Sequence, residues 1–227
     1  MMFCEIWLKD AHFNLSKRFF LLFVIFLSLE ASLCYAKQLK SEDIRKIQEK
    51  IKAFSDLQVE FNQKTYRALR KRTSKSNGRA FFSKPNKFRW ILEEPKRDEW
   101  IFDGKELNHF FPARKEAISY SANINKGKDF RQIVDLVLNF DTLLKKYDIK
   151  SAEQIGEIVK IHLIPKNKGE ILSADLSLDL KKNYISQLQL NFKQGNHTKL
   201  EFLNPVKKSI PASTFSVPAG IKKIKAT

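Results

Sequence analysis

Hydrophobic and polar residues alternate along most of this chain, and a longer period replaces the alternation only twice. Leu57, Val59 and Phe61 alternate with Gln58, Glu60 and Asn62, the pattern of a strand with one apolar face. The same reading predicts strands at residues 80–83, 88–92, 100–102, 107–111 and 117–120, with Phe88, Trp90 and Leu92 on one face of the second. Asp103-Gly104 is a hairpin signal, Asn77-Gly78 reads as a turn, and Pro85, Pro95 and Pro112 end neighbouring runs. Alternation returns at residues 158–164, 171–180, 184–192 and 198–203, before a proline-punctuated tail. In the second of these runs Leu172, Ala174, Leu176, Leu178 and Leu180 share one parity.

The longer period appears first at Ile44, Ile47, Ile51 and Phe54, with Ser41 placed to cap a helix and Glu42 and Asp43 in its first turn. It returns at Phe130, Ile133, Val134, Val137 and Leu138, and Leu143-Leu144 continue that apolar face. An amphipathic helix amid strands must lay its stripe on a sheet or over an opening in one. Two helices cannot cover so much sheet laid flat. The expected fold is therefore mainly β with α, a half-closed antiparallel barrel in one domain over residues 37–227.

Residues 1–36 are set apart as a leader. Lys17 and Arg18 precede an apolar run at 19–29, the length of a signal-peptide core and short of the ~20 residues that span a bilayer as a helix. Cys34-Tyr35-Ala36 places small residues three and one before Lys37, so cleavage is expected near Ala36. A lipoprotein signal would need a small residue before Cys34, and Leu33 is not small. Both cysteines fall in the leader, so the exported part is expected to have no disulfide and no thiolate chemistry. The leader's own charges cancel, which leaves the net +17 on residues 37–227. A Lys-, Ile-, Asn- and Phe-heavy usage of the kind A/T-rich coding produces explains much of that charge; attraction to anionic membrane surfaces or acidic partners is the functional alternative, and no nucleic-acid-binding signature is present.

The sequence does not ask for catalysis. His109, His162 and His197 are scattered, without a partner at metal-ligand spacing. Glu93 and Glu94 are neighbours in a strand and so point to opposite faces. No glycine-rich phosphate loop follows a strand, and no cofactor or metal is expected. The notable feature is apolar surplus: 19 phenylalanines in a chain with little helix. Periodicity alone cannot tell a filled interior from a hollow one.

The stretch from Asn77 to Trp90, with Lys84-Pro85-Asn-Lys-Phe-Arg-Trp90 at its end, then Glu94-Pro95 and Trp100-Ile-Phe-Asp-Gly-Lys-Glu-Leu107, resembles the outer-membrane lipoprotein carriers, the LolA family. The opening helix, a strand ending in Gln63, the mid-chain helix and the tail Thr214-Phe-Ser-Val-Pro-Ala-Gly-Ile221 follow the family's order. The resemblance implies an unclosed barrel whose helices form a lid over an apolar cavity. It implies a periplasmic monomer that takes acylated lipoproteins from an inner-membrane releasing transporter to an outer-membrane receptor. A carrier of another acylated lipid or glycolipid is the alternative on the same fold. Phe88, Trp90, Leu92, Trp100, Phe102 and Leu107 are expected as cavity wall, and Phe130, Ile133, Val134 and Val137 as the lid's inward stripe. Lys84 stands where the family carries an arginine that latches the lid, and it offers a point charge in place of a planar fork. Asn108 stands where an aromatic is usual, so a cavity differently shaped or more polar on that wall is expected.

Overall fold

The computed structural model describes residues 37–51, 55–121, 133, 136–139 and 143–226. The chain divides between Ala36 and Lys37, and everything described belongs to the unit Lys37–Thr227. Helix α1 (Ser41–Ile51) lies near its start, buries Ile44 and Ile47, and is tied at its first turn by the Lys40 N–H donating to Asp43 Oδ2 at 3.0 Å.

Among the described residues thirteen strands form one sheet: β1 (Lys37–Gln38), β2 (Asp56–Arg67), β3 (Arg72–Ser83), β4 (Lys87–Glu94), β5 (Asp98–Phe102), β6 (Glu106–Phe111), β7 (Glu116–Ser121), β8 (Tyr147–Ile155), β9 (Ile158–Pro165), β10 (Ile171–Asp179), β11 (Tyr184–Phe192), β12 (His197–Val206) and β13 (Lys222–Lys225). Their order is β1-β8-β9-β10-β11-β12-β2-β3-β4-β5-β6-β7-β13, and of these pairings only β13–β7 is parallel. The sheet is open, not closed into a barrel. Laid flat, thirteen strands would be on the order of 60 Å wide. Yet inward residues from β2, β4, β9, β10 and β12 belong to one buried cluster, so the sheet curls around its own side chains.

Local chemistry explains the turns. Asp103 Oδ1 accepts the N–H groups of Lys105 and Glu106 at 2.8 and 2.9 Å, and Gly104 takes φ 101°, which closes the β5–β6 hairpin. Asn77-Gly78, in contrast, is no turn. Gly78 lies buried inside β3 at a register shift against β4, and a Cβ there would stand 1.8 Å from the Ile91 carbonyl oxygen. This glycine serves close backbone approach. The parity read for residues 171–180 also changes: a bulge between Ile171 and Ser173 buries Ile171 and turns Leu172 outward, 52% exposed.

The mid-chain apolar stripe is not one continuous helix. Residues 133 and 136–138 are helical, Asn139 is not, and helix α2 (Leu143–Lys146) stands apart from them. The opposite face of β5–β7 carries a second small cluster, Ile101, Phe110 and Ala117, covered by Val217 and Ile221 of the tail.

Candidate functional site: an aromatic interior and its open end

The cavity-wall candidates come together on one sheet face because register carries the parity across strands. Phe88 pairs with Phe102, Trp90 with Trp100, Phe102 with Leu107, and Leu107 with Tyr120. Phe88, Trp90, Phe102 and Leu107 are buried; Leu92 and Trp100 are half-buried. Trp90 is the hub of this face. It stacks on Phe61 with centroids 4.0 Å apart, and meets Phe82 and Phe202 edge-on at 6.4 and 6.5 Å. Such contacts add about 1 kcal/mol each to the area they bury. Sequence reading missed Phe61, Phe82 and Phe202 as Trp90's partners, although strand parity already put Phe61 on β2's apolar face.

Ile133, Leu136, Val137, Leu138 and Leu143 belong to the same buried cluster. Phe130 and Val134 of the expected inward stripe lie outside the described residues. A cavity of about 670 Å³ opens between the β4–β5 and β6–β7 turns. Leu92, Pro95, Phe111, Pro112 and Ala113 form its apolar wall, and Asp98, His109, Arg97 and Arg114 are among its polar lining. Of the six expected wall residues, only Leu92 lines it.

Polar groups at this end are mutually satisfied. Trp100 Nε1 donates to Asp98 Oδ2 at 3.1 Å, His109 Nε2 bonds Asp98 Oδ1, and the Arg114 guanidinium lies 4.0 Å over the Phe111 ring. Burial pushes the Asp98 carboxyl up, but the bonds and charge from His109, the Trp100 N–H and the Glu99 N–H outweigh it and hold Asp98 below its ordinary value.

Lys84 follows the end of β3, and its N–H donates to Ser55 O at 2.8 Å. Beside it, the Pro85 carbonyl accepts from Asn139 Nδ2 at 3.0 Å. That bond joins residues 136–139 to the Lys84-Pro85 corner, and sequence reading had not singled out Asn139. Lys207 Nζ donates to Lys182 O and Asn183 O at 2.8 and 2.6 Å and so caps the β10–β11 turn.

Asn108 does not face the interior. It pairs with Ile101 and Ser119 on the opposite face and accepts from Ser119 Oγ at 2.6 Å. The expected polar wall is corrected by parity: Leu107 and His109, on either side of it, point inward. On the same outer face Glu99 is fully buried between two guanidinium groups, with Arg89 Nη2 and Arg97 Nη2 each at 2.7 Å. Arg89 Nη1 also donates to Thr214 O at 3.3 Å, pinning the tail.

Among the described residues no group of three or more His, Cys, Asp or Glu side chains is placed to hold a metal ion. His162 pairs with Asp175 at 2.6 Å and His197 stacks on Tyr66.

Comparison with known proteins accounts for this architecture. The family model for the outer membrane lipoprotein carrier protein LolA matches residues 52–218. An outer-membrane lipoprotein carrier protein of Pseudomonas putida (strain GB-1) is 26% identical over 90% of this chain and 97% of its own length. One from Francisella tularensis subsp. novicida (strain U112) is 24% identical over 74% of this chain and 78% of its own. A solved structure of an uncharacterized conserved protein from Thermus thermophilus shares the fold, with a TM-score of 0.52 at 11% identity, over 82% of this chain and 99% of that one. Members of the matched family are carriers, not enzymes. By the family match over most of its length, this chain belongs to the outer-membrane lipoprotein carrier (LolA) family.

Proposed function

We propose that the protein carries lipoproteins through the periplasm by sheltering their acyl chains within the aromatic interior of the sheet. The leader is removed near Ala36, and the unit Lys37–Thr227 works as a monomer, taking cargo from an inner-membrane releasing transporter and yielding it to an outer-membrane receptor. The observation that carries this reading is an apolar face, centred on Phe88, Trp90, Phe102 and Leu107, with Ile133, Leu136, Val137 and Leu138 in its buried cluster and a cavity of about 670 Å³ at Leu92 and Phe111.

The physical need is clear. Bare acyl chains in water cost about 0.8 kcal/mol per methylene, so several long chains face a barrier of tens of kcal/mol. Loading separates the roof residues Ile133, Leu136, Val137 and Leu138 from the sheet, and chains replace their side chains against Trp90 and its neighbours. The exchange is nearly even, apolar contact for apolar contact, which lets cargo leave as readily as it enters. Lys84 and the Asn139–Pro85 bond set how firmly the roof rests.

Isolating the protein from its envelope under mild conditions and analysing its organic extract by mass spectrometry tests this. Triacylated peptides support lipoprotein cargo; glycolipid would redirect the reading to the alternative, and an extract without acylated material would end it.

A further inference from the structure

We propose that the tip of the β2–β3 hairpin is a docking finger for an anionic lipid bilayer surface, an activity distinct from cargo shelter and independent of it. β2 and β3 register residue for residue from Asp56 and Ser83 to Arg67 and Arg72. A short turn, Ala68–Arg70, and Lys71 at φ 45° join them. β4 accompanies β3 only from Asn77 onward, so Arg72–Ser76 have a bare edge among the described strands.

At the apex Leu69 is 97% exposed, the most exposed large apolar side chain among the described residues. Around it Lys64, Arg67, Arg70, Lys71, Arg72 and Lys75 are all exposed. No acidic residue occurs anywhere between Glu60 and Glu93.

The register makes this arrangement costly to the fold. Lys64 stands opposite Lys75, and Arg67 opposite Arg72. Like charges in directly opposed positions destabilise a sheet. Cations on a bare edge do guard against unwanted strand pairing. That purpose explains β3 alone: β2 is flanked by both β3 and β12 and has no bare edge here. Nor does edge protection call for an uncovered leucine at the apex.

A bilayer fits the finger better than a folded acidic partner. A stable protein interface buries about 800 Å² per side around an apolar centre; at this tip Leu69 is the one exposed large apolar side chain among the described residues. Diffuse positive charge with one apolar side chain at its point suits an anionic headgroup layer, where each cation adds attraction and the leucine can enter the acyl boundary.

Flotation of the Lys37–Thr227 unit, which holds the whole described sheet and core, with vesicles of phosphatidylglycerol and phosphatidylcholine tests the proposal. Binding is expected to vesicles containing phosphatidylglycerol and not to pure phosphatidylcholine, and to weaken with salt. Leu69→Asp should weaken it about fivefold, and the triple variant Arg70→Glu, Arg72→Glu, Lys75→Glu more than about tenfold. The triple variant should keep at least the parent's urea midpoint, because two like-charge pairs become opposite-charge pairs. Variants that bind like the parent, or a parent that ignores anionic vesicles yet binds polyglutamate, would overturn the proposal.

Discussion

Trp100 lies flat on His109, ring centroids 4.0 Å apart and planes 8° from parallel, and Asp98 bonds both residues. The three form a polar knot at the open end of an apolar face, next to the 670 Å³ cavity.

The knot gives the fold an acid dependence. Asp98 ionises below its ordinary 3.8 in the folded chain. The unfolded chain thus binds more protons near that pH, and stability rises with pH there. The contribution is whole above 3.8 and is lost as pH falls through the lower, folded value. Urea midpoints measured from about pH 6 downward should fall more steeply for the parent than for Asp98→Asn; parallel curves would remove the knot from the account.

Glu99 is the outer face's critical ionic group. Glu99→Ala leaves Arg89, 18% exposed, without its carboxylate, and should cost about 3 kcal/mol. Arg97→Ala removes a guanidinium that is 59% exposed, and should cost about 1 kcal/mol. Denaturant titration of the two variants checks the order, and equal losses would contradict it.

Gly78→Ala places a methyl against the Ile91 carbonyl. Neither strand backbone can withdraw cheaply, so a loss of about 3 kcal/mol is expected. A thermal midpoint within a degree or two of the parent's would show that β3 and β4 yield more easily than their register implies.

The roof's attachment can be weighed through Asn139. Asn139→Ala deletes the bond to Pro85 and should cost about 1 kcal/mol, raising hydrogen exchange at residues 136–138 roughly fivefold. Lys84→Arg and Lys84→Leu, measured alongside, ask whether the lysine contributes to the same latch. Identical exchange profiles in those two variants and the parent would assign Lys84 no part in it.

Much of this architecture was legible because a strand's period of two survives in the sequence wherever one face is buried. Phe88, Trp90 and Leu92 were put on one strand face that way, and the β5–β6 hairpin was read from its Asp103-Gly104 turn. Parity failed where backbone irregularity intervened: the bulge after Ile171 sends Leu172 outward. β8 went unread because Tyr147, Ala152 and the residues around its own register shift do not alternate cleanly. β13 carries Lys222, Lys223 and Lys225, exposed throughout, and is a strand only because β7 offers it an edge. Asp98 with His109, and Glu99 with Arg89, join residues ten or eleven positions apart across strands. Such pairs need register, which a single sequence does not supply. The tail's role was hidden for the same reason: Val217 and Ile221 matter for the face they cover.

The central claim is that acyl chains come to rest against Trp90. In the Lys37–Thr227 unit carrying Trp100→Phe, Trp90 is the only remaining tryptophan. Titrating that protein with a triacylated lipopeptide whose chains carry bromine, a contact quencher, reads their arrival directly. Saturable quenching of Trp90 emission at one lipopeptide per protein is the expected result; stoichiometric binding that leaves the emission unchanged would contradict the account.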